Sequence, residues 1–353
     1  MIVSMEVGAT EQQIKHVLSV VASYGYQSRV EPGEQRTVIC VVGVGSAEKL
    51  SRAFQAVEVC DGVDHVVSIT CSYKRVSREF KPSDSVVTVN GSVSIGGGQF
   101  AVIAGPCSVE GRGMLLQIAE AVKRDGANML RGGAFKPRTS PYAFEGLGEE
   151  GLRLLAEAYG ETGLPAVTEV MNPDDVALVC RHAHVLQIGC RNMQNNPLLD
   201  EVGRVKTPVL LKRHFAATIE EWLLAAERIL KGGNPNVILC ERGIRTCTEV
   251  TRFTLDVGAI VAAKQLSHLP IIADPSHPAG DRKYVPALAR AAVAAGADGL
   301  IVEVHDNPER AKSDGKQSLT LSGFTRMMEQ LQPEIALWKE RYLLAHRTLA
   351  LAG

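Results

Sequence analysis

The stretch Phe100-Ala101-Val102-Ile103-Ala104-Gly105 opens the part of the chain in which short apolar segments alternate with amphipathic ones. Short apolar runs without charges are typical of strands that are buried on both faces of a parallel sheet. The pattern repeats along the chain. We predict eight strands, at Phe100–Gly105, Met129–Phe135, Pro165–Val170, Val185–Cys190, Pro208–Arg213, Val237–Arg242, Pro270–Pro275 and Gly299–His305.

Segments with helical spacing of apolar residues separate these strands, for example Met114–Lys123, Glu149–Tyr159 and Ile219–Leu230. Eight strands with eight crossovers in about 230 residues favour a (β/α)8 (TIM) barrel over a doubly wound sheet. No GxGxxG motif follows the first strand, which argues against a dinucleotide-binding fold. We therefore predict an α/β protein with a barrel over residues 100–332 and a C-terminal helical tail over 333–353.

Two shorter regions precede the predicted barrel. Residues 1–72 show the order βαββαβ, which predicts a separate ferredoxin-like domain. Residues 73–99 are polar and rich in turns, and Asn90-Gly91 between two apolar segments is a strong signal for a two-residue hairpin. We predict a linker with a β-hairpin there.

Composition narrows the class of protein. The 353 residues carry a net charge of −1, so the surface has no overall field that would attract nucleic acid or acidic membranes. Eight cysteines in a chain of this length do not indicate a disulfide framework and favour a reducing compartment. The first residues lack the features of a signal peptide, and no apolar run is long enough to span a membrane. We expect a soluble cytoplasmic protein that binds neither nucleic acid nor membranes.

The predicted strand ends carry many cations. In a barrel, residues at the C-terminal ends of the strands face the active site. Guanidinium and ammonium groups match the charge and the oxygen geometry of phosphate, so the pattern predicts substrates with two phosphates, or with a phosphate and a carboxylate. The polar residues at these positions are Cys107, Arg131, Lys136, Arg138, Glu169, Arg191, Lys212, Arg213, Arg242, Arg245, Asp274, His277, Glu303 and His305.

A second set of residues at the same end has the chemistry of metal ligands: Cys107, His277, Glu303 and Asp314. One thiolate, one imidazole and two carboxylates suit a divalent transition metal such as Mn, Fe, Co or Zn, which could polarise a carbonyl oxygen. The alternative remains open that these side chains are a core thiol, a hydrogen-bonded histidine and a plain turn at Asp314-Gly315.

Motifs along nearly the whole chain resemble those of the 3-deoxy-D-arabino-heptulosonate 7-phosphate (DAHP) synthases. The resemblance is to the subgroup related to 3-deoxy-D-manno-octulosonate 8-phosphate synthase that carries an N-terminal ferredoxin-like regulatory domain. The motifs are Ile103-Ala104-Gly105-Pro106-Cys107-Ser108, Leu130-Arg131-Gly132-Gly133, Lys136-Pro137-Arg138-Thr139-Ser140-Pro141, Gln187-Ile188-Gly189 with Arg191-Asn192, Leu211-Lys212-Arg213, Cys240-Glu241-Arg242-Gly243, Asp274-Pro275-Ser276-His277 and Ser313-Asp314-Gly315.

The resemblance implies a reaction and a site. The reaction condenses phosphoenolpyruvate with erythrose 4-phosphate and releases phosphate, as the first step of the shikimate pathway. Lys136, Cys107 and His277 are the implied catalytic residues, and either Lys136 or a metal-bound water would transfer a proton. The implied ligands of the divalent metal are the four residues named above. Phosphoenolpyruvate binding falls on Arg131, Lys136, Arg191, Lys212 and Arg242, and erythrose 4-phosphate binding falls on Arg138 and Thr139.

The resemblance also implies regulation and assembly. We expect feedback inhibition by an aromatic amino acid, tyrosine or phenylalanine, at the N-terminal domain, unless that domain serves only in assembly. A homotetramer is the implied oligomer.

Two other functions stay open at this point. One is the sister activity on arabinose 5-phosphate, although that family resembles an Ala-Asn-Arg-Ser arrangement where this chain has Lys136-Pro137-Arg138-Thr139. The other is a barrel without catalysis that acts as a regulatory subunit.

The chain departs from the family pattern near the site, and these changes bear on rate, metal preference and selectivity. The departures are His214 with Phe215, Asn196, Cys247, Phe253 and Pro278. Cys190 and Cys240 are read as buried thiols, with a disulfide to Cys107 as the alternative.

Overall fold

The computed structural model describes residues 1–32, 36–43, 45–67, 72–137, 140 and 142–351. The chain divides into two compact units, Met1–Lys74 and Arg75–Gly353. Within the part of the chain that is described, no helix combines the length and the apolar character needed to cross a membrane.

The first unit is a four-stranded antiparallel sheet with the strand order β2-β3-β1-β4. Its helices begin at side-chain caps, since the hydroxyls of Thr10 and Ser46 accept hydrogen bonds from backbone N–H groups of the first turn. The predicted βαββαβ order is confirmed. The elements are β1 (Ile2–Met5), α1 (Glu11–Ser23), β2 (Gln27–Pro32), β3 (Thr37–Val42), α2 (Ala47–Glu58) and β4 (Val63–Val67).

The second unit is built on a closed barrel of eight strands, as predicted. Every neighbouring pair is parallel, and the last strand pairs with the first through Gly299–Glu303 against Ala101–Gly105. The strands are β7 (Ala101–Gly105), β8 (Met129–Arg131), β9 (Ala166–Glu169), β10 (Val185–Ile188), β11 (Val209–Lys212), β12 (Val237–Glu241), β13 (Ile271–Ala273) and β14 (Gly299–Glu303).

Several strands are shorter than the apolar runs that predict them. Strand β8 ends at Arg131 and not at Phe135, although Gly133 still forms a parallel bridge to Ser108, because the chain turns away at Ala134 and Phe135. A Cβ at Gly133 would lie 2.8 Å from the carbonyl oxygen of Cys107, so only glycine allows this close approach. The turn brings the residues after β8 over the end of the barrel.

Helices connect the strands and cover the barrel. The final helix crosses residues 332 and 333 without a break, so the predicted boundary there falls inside one helix. The helices are α3 (Arg112–Arg124), α4 (Glu149–Thr162), α5 (Val176–Cys180), α6 (Asn196–Arg204), α7 (Ile219–Gly232), α8 (Val257–Leu266), α9 (Ser276–Ala279), α10 (Val285–Ala294) and α11 (Leu321–Leu351).

A hairpin precedes the barrel. Strands β5 (Val87–Val89) and β6 (Val93–Ile95) pair antiparallel. Asn90 and Gly91 between them both have positive φ, as a type I′ turn requires. Val87, Val89 and Ile95 are buried in one cluster with inward-facing barrel residues such as Ile103 and Ile301. The hairpin is therefore part of the barrel core and closes the end opposite the carboxyl ends of the strands.

Trp222 ties helix α7 to strand β11. Its side chain is fully buried, and its indole Nε1 donates a hydrogen bond of 3.2 Å to the carbonyl oxygen of Leu211. The helix begins in a capping box, in which Thr218 and Glu221 exchange backbone and side-chain hydrogen bonds. This anchoring holds the strand that ends in Lys212.

We expect Trp222→Phe to lower the free energy of unfolding by about 1–3 kcal/mol, because it removes the indole donor and leaves a small void. Urea unfolding followed by circular dichroism measures this change. Leu224→Ala is the control on the same helix, since Leu224 is 37% exposed and should cost within about 0.5 kcal/mol. Equal losses in both variants would contradict the anchoring role of Trp222.

Candidate active site

A cavity of about 370 Å³ opens at the carboxyl ends of the barrel strands. Parallel strands place all these ends on one rim, so residues far apart in the sequence meet there. Five of the seven cationic or polar residues predicted to bind substrate line it. The lining is Arg131, Lys136, Pro137, Ser140, Ala143, Glu169, Gln187, Gly189, Cys190, Arg191, Lys212, Arg242, Arg252, His277 and Asp314. The other two predicted residues, Arg138 and Thr139, lie outside the described residues.

The deepest cations retain unused hydrogen-bond donors. Arg131 ends β8 and is 3% exposed, and its Nη2 lies 3.2 Å from Oε1 of Glu303. Its Nε and Nη1 atoms are buried and donate no hydrogen bond within the described part of the chain. The same holds for Nε and Nη1 of Arg242, which follows β12. Buried donors without acceptors cost stability unless a ligand accepts from them, so these groups indicate an anion site.

Lys212 is held differently from these arginines. Its Nζ lies 2.6 Å from Oδ2 of Asp274, and both groups are buried. Burial raises the pKa of Asp274, but the nearby His277 and Lys212 outweigh burial and hold this pKa well below its usual range. The ammonium therefore faces a charged carboxylate at the rim.

Two loop cations complete the rim. The residues after β8 fold back because the backbone N–H of Lys136 donates to the carbonyl oxygen of Glu145, at 2.8 Å. Arg191 lies in a short turn after β10, and its Nη1 donates to the carbonyl oxygen of Pro137, at 2.7 Å. The two loops are thereby joined across the cavity mouth.

The four predicted metal ligands come together as two pairs. Sγ of Cys107 donates to Oδ2 of Asp314 at 3.1 Å, and Nε2 of His277 lies 3.7 Å from Oε1 of Glu303. Within the described residues, no three His, Cys, Asp or Glu side chains meet closely enough to hold a metal ion together. The predicted quartet is thus present at one place but is not gathered around a single point.

Charges in each pair nevertheless shift the pKa values of groups in the other pair. Burial, followed by the charge of Glu303, raises the pKa of the Cys107 thiol to about 12. Burial alone would raise the pKa of Asp314, but the hydrogen bond from Cys107 and nearby cations lower it to about 2. Oε2 of Glu303 accepts from Gln317 at 2.7 Å, whereas its buried Oε1 accepts no hydrogen bond. A divalent cation fits this donor set, because a thiol, an imidazole and two carboxylates are ligands that such ions take.

Some predicted strand-end cations do not reach the cavity. Arg213 points into a separate cluster, where its Nη1 lies 3.1 Å from Glu241 and 2.9 Å from Asp256. Arg245 is exposed and lies over the ring of Phe215. Both residues lie close in the sequence to residues that line the cavity, but sequence position alone does not determine the direction of a side chain.

Arg252 is a rim residue that the strand-end pattern misses. Its Nη1 donates to Oδ1 of Asp314 and to Oε1 of Gln317, both at 3.2 Å, and it lines the cavity. Arg252 lies in the long loop between β12 and α8, so no periodicity places it. The only sequence signal for Arg252 is that it is a cation in the segment that follows Arg242.

The thiols considered as partners of Cys107 are free. Cys190 lines the cavity and is half-buried, while Cys240 is fully buried among apolar core residues. Burial raises the pKa of Cys240 far above its usual range, so this thiol stays protonated and unreactive.

Two family profiles match the chain. The profile described as the DAHP synthetase I family matches residues 84–337. The profile described as the DAHP synthase ferredoxin-like domain matches residues 1–71.

Similar proteins and structures agree with these profiles. The phospho-2-dehydro-3-deoxyheptonate aldolase of Thermotoga maritima is 48% identical over 94% of this chain and 97% of its own length. A 2-dehydro-3-deoxyphosphooctonate aldolase of Syntrophobacter fumaroxidans is 33% identical over 67% of this chain and 88% of its own length. The crystal structure of the Thermotoga maritima aldolase (DAHP synthase) has a TM-score of 0.91 at 46% identity and covers 96% of this chain and 97% of that one. A truncated form of the synthase from that organism has a TM-score of 0.70 at 48% identity, over 75% of this chain and 97% of that one.

The contrast between Arg242 and Arg213 gives a prediction about stability and binding. Arg242→Leu should leave the thermal midpoint unchanged or higher, because it removes buried donors that lack acceptors. It should weaken the binding of inorganic phosphate about tenfold, as expected for one charge-assisted hydrogen bond. Thermal unfolding and calorimetric titration with phosphate measure the two effects.

Arg213→Leu is the matched control. It should lower the free energy of unfolding by about 3–5 kcal/mol, because it leaves the buried Glu241 carboxylate unpaired. Phosphate affinity should change little. If both variants lost stability to the same extent, the assignment of Arg242 to a ligand would be wrong.

Proposed function

The chain belongs to the DAHP synthetase I family, and from this premise we propose how its site performs the family's reaction. The barrel condenses phosphoenolpyruvate with D-erythrose 4-phosphate and water to give 3-deoxy-D-arabino-heptulosonate 7-phosphate and phosphate, the first step of the shikimate pathway. The observation that carries the proposal is the set of six lysine and arginine side chains around one cavity, two of them with buried and unused donors.

Phosphoenolpyruvate is assigned to the deep part of the cavity. It carries a phosphate and a carboxylate, and Arg131, Lys136, Arg191, Lys212 and Arg242 supply cations on several sides. Arginine forks bind such oxygens in fixed geometry, and the cations act in a site where little water screens them. Erythrose 4-phosphate is assigned to Arg138 and Thr139, which follow Lys136 and Pro137 in the sequence.

The metal is assigned to Cys107, His277, Glu303 and Asp314. The support is the donor set itself, in which Oε1 of Glu303 accepts no hydrogen bond and lies 3.7 Å from Nε2 of His277. A bound divalent ion (Mn, Fe, Co or Zn) would act as a Lewis acid that polarises the aldehyde of erythrose 4-phosphate.

The side chains position the reactants and stabilise charge. C3 of phosphoenolpyruvate attacks the aldehyde carbon, water adds at C2, and phosphate leaves as its C2–O bond breaks. Positive charge that develops at C2 is balanced by the phosphate that the arginines hold, and the fixed cations need not reorganise during the reaction. We assign to Lys136, which lines the cavity, the proton that the aldehyde oxygen takes up. The joined loops around Lys136 and Arg191 exclude bulk water.

We expect the purified protein to release phosphate from phosphoenolpyruvate with erythrose 4-phosphate and much less with arabinose 5-phosphate. A chelator should abolish the activity, and added Mn, Fe, Co or Zn salts should restore it to different extents. A phosphate-release assay with each aldose measures both. Preference for the pentose phosphate would contradict the assigned substrate.

The Cys107→Ala variant distinguishes a catalytic barrel from one that only binds ligands. The variant should lose at least about a hundredfold in kcat/KM and bind less metal, because it lacks one ligand. Cys180→Ala on helix α5 is the matched control and should behave like the parent. A Cys107→Ala variant as active as the parent at saturating metal would refute the metal assignment.

The N-terminal unit is proposed as the site of feedback inhibition. Residues 1–71 match a ferredoxin-like domain that is named for its occurrence in DAHP synthases, and Met1–Lys74 folds as a compact unit. The proposed effector is tyrosine or phenylalanine. A homotetramer remains a prediction from the family resemblance, and a cytoplasmic location remains a prediction from the cysteine content and the sequence features.

Deletion of residues 1–72 should leave the condensation but remove inhibition by aromatic amino acids. The full chain assayed with tyrosine, phenylalanine and tryptophan in parallel provides the comparison. Inhibition that persists in the truncated protein would place the effector site on the barrel.

A further inference from the structure

Arg242 differs from the neighbouring buried cations in what holds it. Carboxylates hold Lys212 and Arg213, and Arg131 lies beside Glu303. The guanidinium carbon of Arg242 instead lies 4.6 Å from the centre of the Phe253 ring. No ion pair of Arg242 is found within the described residues, so an aromatic ring takes the place that a carboxylate takes elsewhere on the rim.

Backbone hydrogen bonds and close packing fix the position of Phe253. Its backbone N–H donates to the carbonyl oxygen of Pro278 at 3.0 Å, and the next residue, Thr254, exchanges two hydrogen bonds of 2.9 Å with Ile244. A Cβ at Gly243, where φ is +95°, would lie 2.9 Å from Cβ of Phe253 and 2.8 Å from Cβ of Pro278. The glycine therefore lets Phe253 pack directly against the segment that carries Arg242.

A second ring supports the first. Phe253 stacks on Phe215 with centroids 5.6 Å apart and an interplanar angle of 24°. The ring centroids of His214 and Phe215 are 4.0 Å apart, and the guanidinium carbon of Arg245 lies 4.9 Å from the centroid of Phe215. The Phe215–Phe253 pair thus lies between the exposed Arg245 and the buried Arg242, and the guanidinium carbon of Arg252 lies 5.7 Å from the centre of the Phe253 ring. These aromatic positions are among those at which the chain departs from the family pattern.

We propose that Phe253 is a positioning residue, which holds Arg242 for phosphoenolpyruvate by a cation–π contact. This inference rests on the proposed function of the cavity. A carboxylate in the same place would accept the N–H groups of Arg242 and cancel its charge. A ring attracts the guanidinium through its face and leaves the in-plane N–H groups for the anion. The unused Nε and Nη1 donors of Arg242 agree with this arrangement.

The test compares three single variants in the full chain. Phe253→Leu keeps apolar volume but removes the π face, Phe253→Tyr keeps the face, and Val250→Ala is a control at a residue of the same loop that is 75% exposed. We expect Phe253→Leu to raise the Kd for phosphoenolpyruvate roughly 3- to 30-fold. The Tyr variant and the control should stay within about twofold of the parent, since surface changes have small effects. Calorimetric titration with phosphoenolpyruvate measures the Kd without turnover.

A double-mutant cycle distinguishes positioning from general loop damage. In an Arg242→Leu background, which removes the cation, Phe253→Leu should change the Kd by less than about twofold. The KM for erythrose 4-phosphate should stay constant throughout. Unchanged phosphoenolpyruvate binding in Phe253→Leu, or equal effects of this substitution in both backgrounds, would overturn the proposal.

The parent protein separates this inference from the proposed function. A parent that binds no phosphoenolpyruvate refutes the assignment of the cavity. A parent that binds it while Phe253→Leu binds equally well refutes only the role of Phe253. If Phe253→Leu does not fold, Phe253→Met and Phe253→Tyr give the same comparison between a side chain without a ring and one with a ring.

Discussion

The site depends on one geometric constraint, that all eight parallel strands end on the same rim of a closed barrel. Arg131, Lys212 and Glu303 are each the last residue of a strand, and each is almost fully buried. Because hydrogen bonds between strands fix these positions on both sides, the buried groups keep their places even where donors lack acceptors. Arg131 faces Glu303 and Lys212 faces Asp274, and an anion would supply the acceptors that the remaining donors of Arg131 lack.

The rim is divided between cations that the protein neutralises and cations that it leaves unsatisfied. Arg213 is occupied by Glu241 and Asp256 and has a structural role, although it directly follows Lys212. Arg131 and Arg242 keep two buried donors each without acceptors. The donors without acceptors on Arg131 and Arg242 indicate where the oxygens of a ligand would bind. It also explains why a count of positive residues overestimates the number that bind ligand.

The sequence predicts the barrel and most of the rim because both follow from short-range patterns. Apolar runs locate the strands, and the residue that follows each run falls on the rim. Arg252 could not be found in this way, because its place depends on how a long loop folds back through Thr254, Ile244 and Pro278. The orientation of Arg213 was also out of reach, since strand position gives the place of a Cα but not the partner of a side chain. The pairing of Cys107 with Asp314 depends on two loops that are far apart in the chain.

The hairpin of β5 and β6 affects the route by which substrates and products reach and leave the site. Val87, Val89 and Ile95 fill one end of the barrel together with core residues, and the cavity formed by the described residues lies at the opposite rim. We expect substrates and products to pass through this rim. Released phosphate then meets the same cations that attract the incoming phosphoenolpyruvate. We therefore expect phosphate to inhibit the enzyme competitively with phosphoenolpyruvate.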